Sequence, residues 1–207
     1  MSSDLEPDAA LMLRVKRGDR LAFEALVDKY KQSVVNVIAR TLGDPIEAED
    51  LAQNVFVQVF RSAQRYQASA KFSTWLYTIA RNLCLNEIRR RSRHPADSLD
   101  QAHPDHEEQP SRQIEDRKTS SPPEVLLRNE LEQKVREALD TLPENQRAAI
   151  VLFQEEEMAY EEIAKVLGCS LPATKSLIHR GRATLRQMLK PYLRTGSWPA
   201  PAEAEQL

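Results

Sequence analysis

Glycine and cysteine are scarce in this chain, and long apolar runs are missing. Five glycines among 207 residues, with no glycine-rich phosphate loop and hardly any period-two apolar run, argue against β-structure and nucleotide-cradling folds. Cys84 and Cys169, the two cysteines, are too few and too differently placed for a disulfide framework or a zinc site, and both read as small packing residues. No apolar stretch is long enough to span a bilayer, and the opening MSSDLEPDAAL lacks the basic-then-apolar layout of a signal peptide, so the expected location is cytoplasmic. No nucleophile stands beside a histidine and no metal cluster is visible, so neither catalysis nor a cofactor is expected. The net charge of -2 predicts no affinity for nucleic acid, but it averages acidic and basic segments that lie far apart.

What remains is helical. Alanine, leucine, glutamate and arginine dominate long segments, and a hydrophobic content of 41% supports modest cores. The pattern predicts an all-α protein: two small helical domains, at 1–93 and 123–194, joined by a long flexible acidic linker at 94–122, with a disordered tail at 195–207.

In the first domain, Pro7 to Arg17 reads as a short helix buried through Ala10, Leu11, Leu13 and Val15. Asp19 then caps a helix running to about Leu42 and ended by Gly43, and Asp44 with Pro45 opens the next. That helix buries Ala48, Leu51, Ala52, Val55, Phe56, Val59 and Phe60 and turns Glu49, Asp50, Gln53, Asn54, Gln58 and Arg61 toward solvent or a partner. The Phe72 to Arg93 helix has Phe72, Leu76, Ile79, Ala80 and Leu83 on one face and Thr78, Asn82, Asn86 and Arg89 on another. Arg81, Arg89, Arg90, Arg91 and Arg93 stand there against the single acid Glu87, which suits an anionic polymer. The preceding loop carries Tyr66, Gln67, Ser69 and Lys71. Beside Trp75 and Tyr77 it has the parts to hold unstacked bases, although aromatics near a helix start are more often core residues than base platforms.

Between His94 and Pro123 the apolar pattern vanishes, and prolines and carboxylates replace it. Such a segment cannot bury enough apolar surface to offset its ordering entropy. Its histidines, His94, His103 and His106, lack ligand spacing on a regular element and predict no metal.

The second domain resumes near Pro123, with Ser121 as a cap, and breaks at Leu142-Pro143. The run Glu155, Glu156 and Glu157 reads as a solvated helix end. From Tyr160, a short helix ends at Gly168 and a second starts after Ser170, the outline of a helix-turn-helix. In the second helix Thr174, Ile178, Gly181, Leu185 and Leu189 face inward, and no acid occurs between Pro172 and Lys190. Its outward side offers Ala173, Ser176, His179 and Arg180, with Lys175, Arg182 and Arg186 nearby and Pro172 at the helix start, a small-residue and cationic surface suited to a major groove.

With both halves laid out, the chain resembles the extracytoplasmic-function (ECF) sigma factors of bacterial RNA polymerase. DPIEAEDLAQNVFVQVF and FSTWLYTIARNLCLNEIRR are similar to the family's polymerase-binding and promoter -10-reading region. LPENQRAAIVLFQEEEMAYEEIAKVLGCSLPATKSLIHRGRATLR is similar to its -35-reading domain. The resemblance implies a non-catalytic subunit that recruits polymerase core to promoters and opens DNA under the control of an anti-sigma factor. By position, Glu49, Asp50, Gln53, Asn54, Gln58 and Arg61 would meet the clamp helices of the largest polymerase subunit. Tyr66, Gln67, Ser69, Lys71, Trp75, Thr78, Asn82, Asn86 and Arg89 would serve the -10 element, with the loop accepting a flipped base. Pro172, Ala173, Lys175, Ser176, His179, Arg180 and Arg182 would meet the -35 element, and the linker would run through the active-site and RNA-exit channels. Departures from the family pattern are Pro172, Ala173 and Thr174 where glycine, threonine and valine are common, Leu177 in place of arginine, Asn86 in place of aspartate, and the long linker.

Overall fold

The computed structural model describes residues 5–93 and 122–195, which are helical apart from short turns. The predicted linker up to Ser121, its three histidines and the tail beyond Thr195 lie outside the described residues. The first half contains α1 (Pro7–Lys16), α2 (Arg20–Leu42), α3 (Pro45–Ser62), a 3-10 turn (Ala63–Arg65) and α4 (Phe72–Arg93). The second contains α5 (Pro122–Asp140), α6 (Glu144–Glu155), α7 (Tyr160–Leu167) and α8 (Leu171–Thr195).

Local chemistry sets the helix ends. The Asp19 carboxylate accepts from the Ala22 amide at 3.1 Å, and Asp44 accepts from the Ile46 and Glu47 amides, each at 3.1 Å. Gly43 closes α2 in the left-handed region at φ 74°, its amide donating to the Ala39 carbonyl at 2.8 Å. Gly168 does the same for α7 at φ 63°. One capping group links distant parts of the chain: Glu6 Oε2 accepts from Ala9 at the start of α1 and from Phe72 at the start of α4, at 3.1 and 3.2 Å.

The buried face of α1 differs from the expected one. Ala9, Met12 and Val15 are buried together with Asp8, while Ala10, Leu11 and Leu13 are only half-buried. The reason is Asp8 itself, 4% exposed, which is turned toward α2. There it accepts from Lys29 Nζ at 2.6 Å and from the Tyr30 hydroxyl at 2.6 Å. A buried carboxylate is tolerated only when paired in this way.

In α3, Ala48, Ala52, Val55, Phe56 and Val59 are buried as the stripe requires, but Phe60 is 52% exposed and does not belong to it. In α4 the buried residues are Phe72, Thr74, Leu76, Tyr77, Ala80 and Cys84. The two halves also pack on each other, α4 against α7 and α2 against α6, and the buried residues of both form one connected cluster.

Burial alone pushes the Asp8 carboxyl upward, but hydrogen bonds from Lys29 and Tyr30 and the Lys29 charge outweigh it and hold the group below the usual aspartate range. A carboxyl lowered in the folded state stabilises the fold above its unfolded pKa, and that contribution is lost as pH falls through the lowered value. Asp8→Asn is therefore expected to lower stability at pH 7 by about 1 to 3 kcal/mol, measured by urea unfolding. The gap from the parent should narrow below about pH 4; an undiminished gap at pH 3 would contradict the role given to the ionised carboxylate.

Candidate nucleic-acid and partner interfaces

Three surfaces carry the expected site residues. On the first, Glu49, Asp50, Gln53, Asn54, Gln58 and Arg61 are all exposed along the outer side of α3. Beside them a groove of about 670 Å³ runs between α2 and α3, lined among others by Phe23, Val27, Val35, Phe56, Val57 and Phe60. Phe60 stacks at a tilt on Phe23, with centroids 5.1 Å apart, instead of entering the core. The result is an apolar groove with a polar edge, a shape that fits an amphipathic helix. Phe60 could not be identified as part of a groove from periodicity, because it sits at the margin of the buried stripe.

The second surface is the loop before α4 and the side of α4 that follows it. Gln67, Ser69 and Lys71 are exposed, as are Asn82, Asn86 and Arg89, which line up at helical spacing. Trp75 and Thr78 are half-buried, and the Thr78 hydroxyl donates to the Thr74 carbonyl at 2.7 Å. Tyr66 departs from the expectation of a base contact. It is 2% exposed, its ring centroid 5.0 Å from that of Trp75 and 6.3 Å from that of Phe72. Its hydroxyl is buried with no hydrogen-bond partner, and burial, reinforced by the Glu6 and Asp8 charges, pushes its pKa up to about 12. An aromatic cluster under the loop claims the ring, so Tyr66 supports the loop from beneath and offers no face to a base.

The basic end of α4 is less free than its sequence suggests. Arg90 and Arg91 both bind Glu87, and both also reach Glu47 at the start of α3. Arg91 further approaches Asp44 at 3.5 Å. Arg81 donates to Asn145 of α6 at 3.1 Å.

The third surface is α8. Pro172, Lys175, His179, Arg180 and Arg182 are exposed, and Ala173 and Ser176 half-buried. The Ser170 hydroxyl accepts from the Ala173 amide at 3.3 Å. Thr174 is fully buried and satisfied, bonded to the Ser170 carbonyl at 3.2 Å and facing Cys169 Sγ at 3.1 Å. Arg182 is exposed yet held, its guanidinium 4.4 Å from the Phe153 ring centroid, and Phe153 in turn stacks on Tyr160. Gly181 brings α8 against α6: a Cβ there would lie 2.8 Å from Ile150 Cγ1.

Sequence reasoning missed the acidic turn after α6. Glu156 accepts from the hydroxyls of Ser33 and Tyr77, Glu155 pairs with Arg40 at 3.4 Å, and Glu162 of α7 pairs with Lys71 at 2.9 Å. These partners are remote in sequence, so no local pattern signals them. The hydrogen bond to Glu162, with its charge, raises the Lys71 pKa and keeps the ammonium charged. Among the described residues no group of three metal-ligating side chains converges and no helix is long and apolar enough to cross a membrane.

Comparison with known proteins fits this arrangement. Residues 26–94 match the model of sigma-70 region 2, and residues 132–185 match that of sigma-70 region 4. The RNA polymerase sigma-H factor of Pseudomonas aeruginosa is 36% identical, over 91% of this chain and 97% of that protein. The ECF sigma factor SigW of Bacillus subtilis is 33% identical over 86% and 94%, and the ECF sigma-E factor of Escherichia coli K12 31% over 90% and 96%. Among solved structures, CnrH in complex with the cytosolic domain of CnrY aligns with TM-score 0.64 at 24% identity, over 90% of this chain and 99% of that one. RpoE in complex with the anti-sigma factor NepR from Bartonella quintana aligns at 0.63 and 23%, over 81% and 96%. These two likenesses show the fold.

In an exposed helix, replacing glycine with alanine gains about 1 kcal/mol, but overpacking costs about 1 to 3 kcal/mol. Gly181→Ala is accordingly expected to lower the thermal midpoint, and Gly181→Val to lower it further. A midpoint raised by the ordinary helix gain would show that α8 is not held against Ile150.

Proposed function

The chain belongs to the ECF sigma factors of bacterial RNA polymerase, and from that membership we propose how its three surfaces divide the work of initiation. The polar outer side of α3 (Glu49, Asp50, Gln53, Asn54, Gln58 and Arg61) docks on the clamp helices of the largest polymerase subunit. The loop residues Gln67, Ser69 and Lys71 receive an unstacked base of the -10 element, held from beneath by Tyr66. Trp75 and Thr78 flank that site, and Asn82, Asn86 and Arg89 continue the contact along the strand. Capturing an extruded base offsets the few kcal/mol that unstacking costs, so DNA opening needs no catalysis and the chain performs none. Pro172, Ala173, Lys175, Ser176, His179, Arg180 and Arg182 present α8 to the major groove of the -35 element. The two units correspond to 1–93 and 123–194, with 94–122 as the connection and 195–207 beyond. All of this takes place in the cytoplasm, where promoter DNA and polymerase are.

The observation that carries the reading is that Asn82, Asn86 and Arg89 form one exposed row beside an exposed loop, on a helix whose opposite face is core. An amide row reads base edges and tolerates phosphate, whereas a merely solvated helix has no need of it. An anti-sigma partner is supported by the likeness to RpoE, which was solved bound to one. The apolar groove between α2 and α3, adjoining the polymerase-facing residues, is where such a partner would exclude the polymerase.

Asn82→Ala is expected to weaken promoter opening, read by permanganate reactivity of the -10 region, while leaving affinity for polymerase core unchanged. Equal loss of both would make Asn82 a structural residue. Arg180→Ala is expected to lower promoter affinity by about 1 to 3 kcal/mol, as for loss of a bidentate contact with guanine. An unchanged -35 sequence preference in that variant would mean that α8 docks in another way.

A further inference from the structure

Helix α1 has no part in the three surfaces above, and it precedes the match to sigma-70 region 2, which starts at residue 26. Its two ends nevertheless hold the two ends of the loop before α4. At the far end of α1, Lys16 Nζ donates to the Tyr66 carbonyl at 3.0 Å, and the Lys16 carbonyl accepts from Gln64 Nε2 at 2.8 Å. At the near end, Glu6 Oε2 accepts from the Phe72 amide at 3.2 Å while capping α1 through the Ala9 amide. Lys16 and Glu6 are both half-buried, and a hydrogen bond with one charged partner is the stronger kind.

Between these anchors the loop has little of its own to keep its shape. Among the described residues, Gln67, Ala68, Ser69 and Ala70 neither donate nor accept a hydrogen bond, and Gln67, Ala68 and Ser69 are exposed. The Tyr66 hydroxyl has no partner either, so Tyr66 is fixed by the packing of its ring and by the bond from Lys16 to its carbonyl. Six chain steps from Tyr66 to Phe72 could reach about 20 Å when extended. The rise of a helix instead keeps Glu6 and Lys16 about 15 Å apart.

We propose that α1 is a splint for the -10 loop, with Lys16 and Glu6 as positioning residues that hold the loop in the shape that receives an unstacked base and do not touch DNA themselves. The proposal rests on the assignment of Gln67, Ser69 and Lys71 made above.

Both charges already serve the backbone of the loop ends, so neither is offered to a phosphate. A loop fixed in advance gives up less conformational freedom when a base enters, and affinity rises for that reason alone. Loss of either anchor leaves the contact residues in place but lowers the fraction of molecules whose loop is ready. Strand affinity then falls by that fraction.

The test uses Lys16→Met, which keeps the stem and removes the donor, and Glu6→Ala, which removes the acceptor. Lys16→Arg and Glu6→Gln restore a donor and an acceptor at the same places. The readouts are affinity for polymerase core and, in the holoenzyme, binding of a fluorescent single strand carrying the -10 element at several salt concentrations. Each removal is expected to weaken strand binding about tenfold, as when the ready fraction falls to about a tenth, with core affinity and salt dependence unchanged. The two conservative variants should bind like the parent. Core affinity lost in step with strand affinity would overturn the proposal, since the effect would then be on the fold at large. A salt slope shallower by about 0.7, the share of one phosphate on a single strand, would overturn it too, because Lys16 would then touch the strand. Gln67→Ala/Ser69→Ala separates the splint from the assignment it rests on. In that background Lys16→Met should cost nothing further, because the splint acts through the loop; a full additive loss refutes it. If the α1 variants bind the strand like the parent while the loop variant does not, the splint is refuted and the -10 assignment stands. If the loop variant itself binds like the parent, the -10 assignment of the loop falls and the splint with it. Where loss of the Glu6 cap unfolds α1 by circular dichroism, Lys16→Met and Lys16→Arg decide alone.

Discussion

The apolar face of α4 has to be buried, and α1, α2 and α3 all pack to bury it. Phe72 meets the Tyr30 ring edge-on at 5.4 Å, and Leu76, Ala80 and Cys84 continue the face inward. Glu6 ties the first amide of α4 to the start of α1, and Tyr66 folds under the loop beside Trp75. With one face so fixed, the row Asn82, Asn86 and Arg89 has no direction left but outward. Pre-organisation of that kind lets a surface capture an extruded base without spending binding energy on ordering itself.

The charges on this helix are then divided by geometry. Arg90 and Arg91 are engaged with Glu87 and Glu47, which ties the end of α4 to the beginning of α3. Arg81 and Lys71 are engaged with the second half. The positive charge suggested by the arginine count is therefore partly neutralised within the chain, and the proposed -10 contact rests more on the amides and the loop. In α8 the opposite holds: Arg180 is exposed on an acid-free helix, and Arg182 is aligned by the Phe153 ring.

Where causes are local, the sequence was a good guide. Asp19, Gly43, Asp44 and Gly168 act within one turn of themselves, and the ends of α2, the start of α3 and the end of α7 lie where those residues put them. The glycine at 181 announced close packing because it sits on the inward face of an otherwise regular pattern, and Ile150 fills that space. What could not be read depends on residues far away in the chain. Tyr66 looked like a base platform because its neighbours in sequence are polar, whereas its neighbours in space are Phe72 and Trp75. Buried Asp8 turned α1 by one residue because its partners, Lys29 and Tyr30, are on another helix. Glu156 looked solvated because Ser33 and Tyr77 are more than a domain away. The exposed row on α4 and the outward side of α8 were legible from period alone, but their partners enter through kinship with other sigma factors and not through any feature of the fold.

The central claim is that this chain gives a polymerase the ability to find and open promoters. Run-off transcription in a purified system tests it most directly, using core polymerase from a bacterium with a closely related sigma factor and duplex DNA from upstream of genes induced when the chain is overexpressed. The account predicts a discrete transcript from linear duplex template that appears only when the chain is added and is abolished when the -10 and -35 elements are scrambled together. Duplex binding by the chain alone, with no promoter-specific transcript on any such template, would contradict the account and leave a DNA-binding protein that never opens its site.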